Sequence, residues 1–428
     1  MGTRGLLDRV AGAGYTAPHM EYTPSEAILK RYADVLVKFA LNDCKGIKKG
    51  DVVRVTCPEA AKPLYLAIQR SILEAGGHMI GDFQPDDDQV TGTGFTRQFY
   101  EKANPAQLDF FPKKMMRGMV DDIDHSIRIL APTDPHALKG IDPKKMLRRG
   151  VAVKPYRDWT NEKEWKGKFT WTIALYGTSA MAKEAGLSPD EYWHQIIRAC
   201  YLDETDPIAT WKKTYRELDG YLKKLNALAP KTDKLHIEGP DADLWLTLGQ
   251  SRAWLGGSGR NMPSFELFTS PDMRGTEGWV RFNQPLYRYG NRIEGVELHF
   301  KKGKVVKATA KTNESLLKQM IATPGADMVG EFSLTDGRFS RITKFMAETL
   351  YDENIGGLQG NTHIAVGMSY RDCYAGDVKK MTNALAKKLG YNDSSVHCDI
   401  VSTEKRTVTA HLKNGTTKVI YQDGKFVL

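Results

Sequence analysis

The chain has 428 residues, of which 41% are hydrophobic and 26% are charged. These fractions are typical of globular proteins and exclude a disordered, collagen-like or coiled-coil chain. The length predicts two or three domains, and the sequence contains no run of about 18 apolar residues that could cross a membrane.

Residues 1–6 lack the apolar core of a secretory signal, and the five cysteines form no CxxC pair. We therefore expect a cytoplasmic protein with reduced thiols. The net charge is +9, from 61 Lys plus Arg and 52 Asp plus Glu, and its densest region is 139–157. Pro143, Gly150 and Pro155 in this region predict loops and a short helix on a solvated surface. We expect no nucleic-acid partner.

The N-terminal half alternates helices and strands. A first helix is predicted after Thr23, which suits the N-cap, with Glu26 completing a capping box. An apolar strand over 52–57, a helix over 60–75 and a second strand over 78–83 form a βαβ unit, which predicts parallel strands. The turn after the first strand lacks glycines, so no dinucleotide site is expected there.

The pattern changes at Ala229-Pro230, after two further helices over 188–201 and 206–228. We place a domain boundary there, with an α/β domain containing a parallel-strand sheet over 1–230. An α+β, β-rich domain is expected over 231–428. Hairpin-like strands are predicted over 234–237, 243–248, 295–300, 304–308, 407–412 and 416–421.

Familiar catalytic motifs are missing from the sequence. It contains no phosphate-binding loop, no GxSxG nucleophile elbow and no HExxH zinc helix. Cys398 follows His397 in a β-like run, where neighbouring side chains point to opposite faces. A buried cysteine is therefore a better interpretation than a thiol nucleophile.

Potential metal ligands concentrate toward the C-terminus. His397 and Asp399 share one face of a predicted strand, where they could bind a divalent cation or form an ordinary surface pair. A helix ending near Glu353 and a glycine-rich turn precede His363, and a simple helix cap with a loop is the alternative. Glu331 and Glu266 each interrupt an apolar pattern, which is costly unless the carboxylate is paired or metal-bound.

Taken in order, these motifs resemble the M29 family of metallo-aminopeptidases. The resemblance spans nearly the whole chain. Its four motifs are Asn261-Met262-Pro263 through Asp272, Gly330-Glu331, Asp352-Glu353-Asn354 through His363 to Tyr370, and His397-Cys398-Asp399.

This resemblance implies an aminopeptidase in which two divalent cations (Zn, Co or Mn) activate a water that releases N-terminal residues. It implies Glu331 as a bridging ligand and Tyr370 as a catalytic or ligating hydroxyl. It also implies a homodimer whose enclosed cavity admits short peptides or unfolded N-termini. The basic excess would then reflect solvation or attraction for peptide carboxylates. The implied metal ligands are Glu266, Glu331, Glu353, His363, His397 and Asp399.

Two alternatives stay open at this point. The same scaffold could serve another metal-dependent amide hydrolase with a different pocket. The chain could also be a non-catalytic protein whose basic surface binds acidic partners, in which case binding would be salt-sensitive and independent of metal.

Overall fold

The computed structural model describes residues 22–86 and 95–428, so the features expected at residues 1–6 lie outside it. The first helix is capped by Ser25 rather than Thr23, because the extended backbone of Ser25 brings its hydroxyl to the N–H of Ile28 (3.4 Å). In the described part of the chain, no helix has both the length and the apolar character that crossing a bilayer requires. Helices occupy Glu26–Val35, Lys62–Glu74, Phe95–Lys102, Pro105–Asp109, Lys113–Asp122, Pro143–Trp165, Ser179–Glu184, Pro189–Ala199, Pro207–Leu228, Glu314–Ile321, Thr349–Asp352 and Asn383–Lys388.

The predicted βαβ unit is present in the N-terminal half. Strand β1 (Val52–Pro58), the helix Lys62–Glu74 and strand β2 (His78–Gln84) follow one another, and the two strands run parallel. Strands β3 (His125–Leu130) and β4 (Thr170–Leu175) extend the sheet in the order β2-β1-β3-β4, also in parallel. The predicted α/β class of this half is therefore confirmed.

The two faces of this parallel sheet differ in character. On one face, Val53, Val55, Ile127 and Ile129 are at most 2% exposed and pack into a hydrophobic core with the surrounding helices. Because side chains alternate along a strand, the residues between them project from the other face. That face borders a cavity and carries Arg54, Thr56, Ser126 and Arg128.

The chain beyond residue 230 is rich in strands, as predicted. These strands are β5 (Thr232–Gly239), β6 (Ala242–Thr247), β7 (Leu255–Gly256), β8 (Asn261–Met262), β9 (Glu266–Thr269), β10 (Glu277–Arg281), β11 (Leu286–Arg288), β12 (Asn291–Ile293), β13 (Glu297–Lys301), β14 (Lys304–Thr309), β15 (Val329–Thr335), β16 (Asn361–Gly367), β17 (His397–Ser402), β18 (Thr407–Leu412), β19 (Thr417–Gln422) and β20 (Lys425–Phe426). An antiparallel sheet β14-β13-β10-β6-β5-β18-β19-β20 packs against a second antiparallel sheet β17-β16-β15-β9-β7 through a shared apolar core.

Strand β8 returns to the N-terminal sheet. It pairs in parallel with β4, so that Asn261 lies beside Ile173, and it forms the fifth strand of that sheet. Met262 and Phe265 accordingly belong to the N-terminal core. The division of the chain at residue 230 stays a prediction.

The basic segment 139–157 differs from its prediction of loops and a short helix. It forms most of the helix Pro143–Trp165, which continues through Pro155. Asp142 caps its start, and Lys163 near its end donates to three backbone carbonyls of an adjacent turn (2.6–3.0 Å). Packing of this kind outweighs the local cost of proline. The helix forms one wall of the cavity.

Candidate metal centre

The sheet β17-β16-β15-β9-β7 separates apolar from ionisable side chains by simple alternation. One face packs into the core with Leu267, Phe332, Leu334, Ile364, Val366, Cys398 and Ile400. The predicted burial of Cys398 is thereby confirmed. The opposite face lines the cavity with Glu266, Glu331, His363, His397 and Asp399.

His363 lies at the centre of these side chains. Its Nε2 atom is 3.4 Å from Oε2 of Glu266, 3.6 Å from Oε1 of Glu331 and 3.9 Å from Oδ1 of Asp399. The strand order explains why these side chains converge. Strands β15 and β17 lie on either side of β16, which carries His363, and β9 lies next to β15. One imidazole therefore faces carboxylates from three different strands.

His397 occupies the other side of Glu331. Its Nε2 atom is 3.3 Å from Oε2 of Glu331 and 3.4 Å from Oδ1 of Asp399. Its Nδ1 atom lies 2.8 Å from the backbone carbonyl of Met368, to which an N–H at that position donates. This hydrogen bond leaves Nε2 facing the carboxylates, and Nε2 is the atom through which this histidine would bind a metal.

The segment before Glu353 is less helical than predicted. Of the helix expected over 342–352, only Thr349–Asp352 is present. The Asp352 carboxylate accepts hydrogen bonds from the backbone N–H groups of Met346 (2.7 Å) and Glu348 (3.0 Å), which holds the preceding residues in an irregular loop. Such side-chain to backbone bonds compete with helix formation.

Glu353 approaches the centre from this loop and not from the sheet. It is buried, and its Oε1 atom accepts a hydrogen bond from Nδ2 of Asn261 (3.2 Å). Its carboxylate forms a third cluster with His363 and Asp399. Asn261 belongs to β8, so this hydrogen bond joins the parallel sheet to the candidate ligands.

Tyr370 lies immediately after β16 and also lines the cavity. Its ring packs edge-on against that of His397, with 4.8 Å between centroids, and also contacts Phe268 at 5.7 Å. Its backbone N–H donates to Oγ of Ser270 (2.9 Å). Burial, together with the nearby carboxylates, raises the pKa of Tyr370 well above its usual value, so its hydroxyl stays protonated and can donate a hydrogen bond.

The crowded charges shift the pKa values of the candidate ligands. Burial, reinforced by the other carboxylates, raises the pKa of Glu266 to about 7 and that of Glu353 well above its usual value. Burial opposes protonation of His363, but contact with Glu331 and the neighbouring acids raises its pKa to about 9. Burial also works against ionisation of Asp399, yet the adjacent His397 lowers its pKa to about 2.

These residues fit a divalent cation. Within the described residues, the two histidines are the only cationic groups within 4.0 Å of the clustered carboxylates. Buried carboxylates need compensating charge, and this oxygen and nitrogen donor set suits Zn, Co or Mn. Donor atoms lie within 4.8 Å of one another in three clusters: Glu266–Glu331–His363, Glu331–His397–Asp399 and Glu353–His363–Asp399.

Comparison with known proteins identifies the family of this chain. Residues 25–426 match the model of the thermophilic metalloprotease family M29. The chain belongs to the M29 family. Aminopeptidase PepS of Streptococcus thermophilus and aminopeptidase T of Thermus thermophilus are each 28% identical to it, over 94% of this chain and 98% of each relative.

The solved structure of wild-type AmpT from Thermus thermophilus is similar to this M29 protein along nearly the whole chain. The TM-score is 0.77 at 26% identity, with 94% of this chain and 99% of that chain covered. This likeness confirms the predicted fold class.

Two supporting contacts of the candidate metal centre, one from a side chain and one from a backbone carbonyl, were not predicted from the sequence. Ser333 donates through Oγ to Oε2 of Glu266 (2.7 Å). It lies two residues after Glu331 on the same strand, so alternation alone could have indicated it. The backbone carbonyl of Met368 could not have been predicted in this way, because every residue type has a backbone carbonyl.

A second polar network fixes the loop that carries Tyr370. Arg260 forms ion pairs with Asp372 (3.0 Å) and with Glu164 (2.7 Å), which lies near the end of the helix Pro143–Trp165, called the wall helix below. Nε1 of Trp165 donates a hydrogen bond to the same aspartate (2.7 Å). These contacts tie the loop to the N-terminal half. The cavity between the two halves has a volume of about 1,200 Å³.

Proposed function

We propose that this protein is a metallo-aminopeptidase that releases N-terminal residues from short peptides or unfolded N-termini. The observation that carries the proposal is the group of four carboxylates and two imidazoles facing one cavity, in a chain that belongs to the M29 family. The proposed ligands of two divalent cations (Zn, Co or Mn) are Glu266, Glu331, Glu353, His363, His397 and Asp399.

Glu331 is proposed as the bridging ligand. Its Oε1 atom faces His363 and its Oε2 atom faces His397, so its two oxygens point toward different imidazoles. The clusters Glu266–Glu331–His363 and Glu331–His397–Asp399 share this one carboxylate. This arrangement supports two adjacent cation sites instead of one.

The bound cations would polarise the scissile carbonyl and lower the pKa of a water molecule. The chain's own residues supply the remaining effects. Tyr370 keeps its proton and donates to the carbonyl oxygen as negative charge develops there, a preorganised contact that contributes most where water is excluded. The free α-amine of a substrate would add a further donor at this site, which would favour cleavage at a free N-terminus.

Metal removal and blocked substrates test the proposal together. Protein stripped with a chelator should lose hydrolysis of leucine p-nitroanilide, and Zn or Co should restore it. The N-acetylated substrate should be cleaved much more slowly, because it lacks a free α-amine. Metal-loaded protein that cleaves no substrate in a broad aminoacyl panel would contradict the proposal, and a preference for the acetylated substrate would indicate the alternative amide hydrolase.

We further infer a homodimer that acts in the cytoplasm. Phe95, Phe110, Met115 and Val151, which lie on or next to the helices of the segment 95–165, are each more than half exposed, and this supports an interface with a second copy. All five cysteines are unpaired, which supports a reducing compartment. Light scattering after size exclusion would measure the assembly, and fractionation of the native cells would measure the location.

A further inference from the structure

The parallel sheet carries a cation without an ionic partner on its cavity side. Arg128 on β3 is exposed and lines the cavity, and no acid among the described residues lies within 4.0 Å of its guanidinium. By contrast, Arg54 on the adjacent strand is paired with Asp82 (2.7 Å). Parallel sheets are usually apolar on both faces, so a free arginine at this position suggests a ligand.

Glu348 is an acid whose pKa is influenced by the charge of Arg128. Burial raises the pKa of Glu348 to about 7, and Arg128 opposes that rise without forming an ion pair. Near neutral pH, Glu348 is therefore only partly ionised. It balances the guanidinium charge incompletely, which leaves Arg128 available to an anion.

A second unpaired arginine lines the same cavity. Arg157 lies on the wall helix, and no acid in the described part of the chain is within 4.0 Å of it. The preceding residue, Tyr156, accepts a hydrogen bond from Nη1 of Arg54 (2.7 Å). This bond holds the Arg157 turn of the helix over β1, the strand next to β3.

The register of the sheet relates Arg128 to the metal centre. Arg128 pairs with Ile173 of β4, and Ile173 pairs with Asn261 of β8, so the three residues form one transverse row. Two strand spacings separate Arg128 from Asn261, about 10 Å between their backbones. Asn261 in turn donates to Glu353 of the proposed metal site.

We propose that Arg128, assisted by Arg157, binds the C-terminal carboxylate of a tripeptide whose amino group lies at the metal centre. This inference rests on the proposed aminopeptidase function and adds a substrate length to it. An extended tripeptide spans about 10 Å at 3.3–3.6 Å per residue, which is close to the separation of the Asn261 and Arg128 backbones along the row. A guanidinium can hold a carboxylate through two parallel hydrogen bonds.

The test compares Leu-Gly-Gly with Leu-Gly-Gly-amide, using the metal-loaded full chain. Wild-type kcat/KM should favour the free acid by at least about tenfold, as expected for a charge-assisted contact. Arg128→Gln should bring this ratio close to one, and Arg128→Lys should retain part of it. Arg70→Gln is the matched control, since it removes an exposed arginine on the helix Lys62–Glu74, outside the cavity, and should keep the wild-type ratio.

The ratio is internal to each variant, so a partly folded preparation does not change its meaning. A wild-type ratio near one with good cleavage of leucine p-nitroanilide would overturn the inference alone, whereas loss of all cleavage would overturn the proposed function. An unchanged ratio in Arg128→Gln would also overturn the inference. Leu-Gly-Asp-amide distinguishes the two sources of a carboxylate: if it is cleaved like the free acid, the site recognises an acidic side chain and the assignment to the C-terminus is wrong.

Discussion

The two sheets that border the cavity carry opposite charges toward it. The antiparallel sheet contributes Glu266, Glu331 and Asp399 beside two imidazoles, whereas the parallel sheet contributes the unpaired Arg128 and the ion pair of Arg54 with Asp82. The acidic cluster is nearly closed to solvent, and Arg128 is exposed. The acidic face thus requires a compensating cation to be stable, while the cationic face is free to select an anion. The antiparallel sheet is suited to catalysis, and the parallel sheet is suited to substrate recognition.

The largest expected effect comes from breaking the acidic wall at its shared ligand. Glu331→Gln removes the charge that faces both imidazoles, so we expect kcat/KM on leucine p-nitroanilide to fall by about a thousandfold or more. Elemental analysis should show less bound metal. Glu238→Gln, an exposed acid on β5, is the control and should keep both activity and metal. Wild-type turnover in Glu331→Gln would reject the bridging role.

Tyr370→Phe sharpens the distinction between holding metal and assisting the reaction. Loss of one preorganised donor typically costs about 10²–10³ in kcat. We expect a loss of this size with little change in KM or metal content. Tyr374→Phe, four residues later and outside the cavity lining, should behave as wild type. A change confined to KM would show that Tyr370 only binds substrate.

Asn261→Ala tests the hydrogen bond that joins the parallel sheet to Glu353. Asn261 orients Glu353 from the parallel sheet, and loss of such a supporting contact typically weakens metal affinity or activity by about 10–100-fold. A competition titration with a chromogenic chelator would measure the affinity. Asn283→Ala, an exposed amide that bonds Thr403, serves as the control. Unchanged affinity and activity would show that Glu353 needs no such support.

The smallest expected effect is a pH dependence of stability in the metal-free protein. The folded-state pKa of His363 is raised to about 9 from an ordinary value of 6.5. The stability that its protonation provides is therefore complete below pH 6.5 and is lost as the pH rises through about 9. Chelated protein should lose a few degrees in Tm across this range, and Zn-loaded protein should lose less, since the cation replaces the proton. Equal pH profiles with and without Zn would contradict this.

The sequence predicted the acidic wall better than the cationic one. His397 and Asp399 were placed on one face because alternation along a strand is a local property, visible in the order of residues. The same alternation exists at Arg54 and Thr56, yet the strand over 52–57 was interpreted as simply apolar. Whether the polar side chains of this strand face a cavity depends on which strands lie side by side. The pairing of β4 with β8, for example, joins residues that are far apart in the chain.

Loops and long helices were the least predictable parts. The segment over 342–352 has helical spacing, but the Asp352 carboxylate binds its backbone and prevents the helix. The wall helix Pro143–Trp165 contains residues that usually end helices, and its packing against the rest of the N-terminal half overrides them. Both outcomes depend on contacts that residue order alone does not reveal.

The transverse row of the parallel sheet, from Asn261 through Ile173 to Arg128, sets the length of peptide whose C-terminus reaches the arginine. Beyond Arg128, the row continues to Thr56 and then to Asp82, one strand spacing at a time. A fourth residue would carry the carboxylate past the free guanidinium toward Thr56, and still longer peptides would carry it toward Asp82, whose charge Arg54 already balances. Length selection in this protein thus follows from the spacing of β-strands, a dimension that side-chain substitutions leave unchanged.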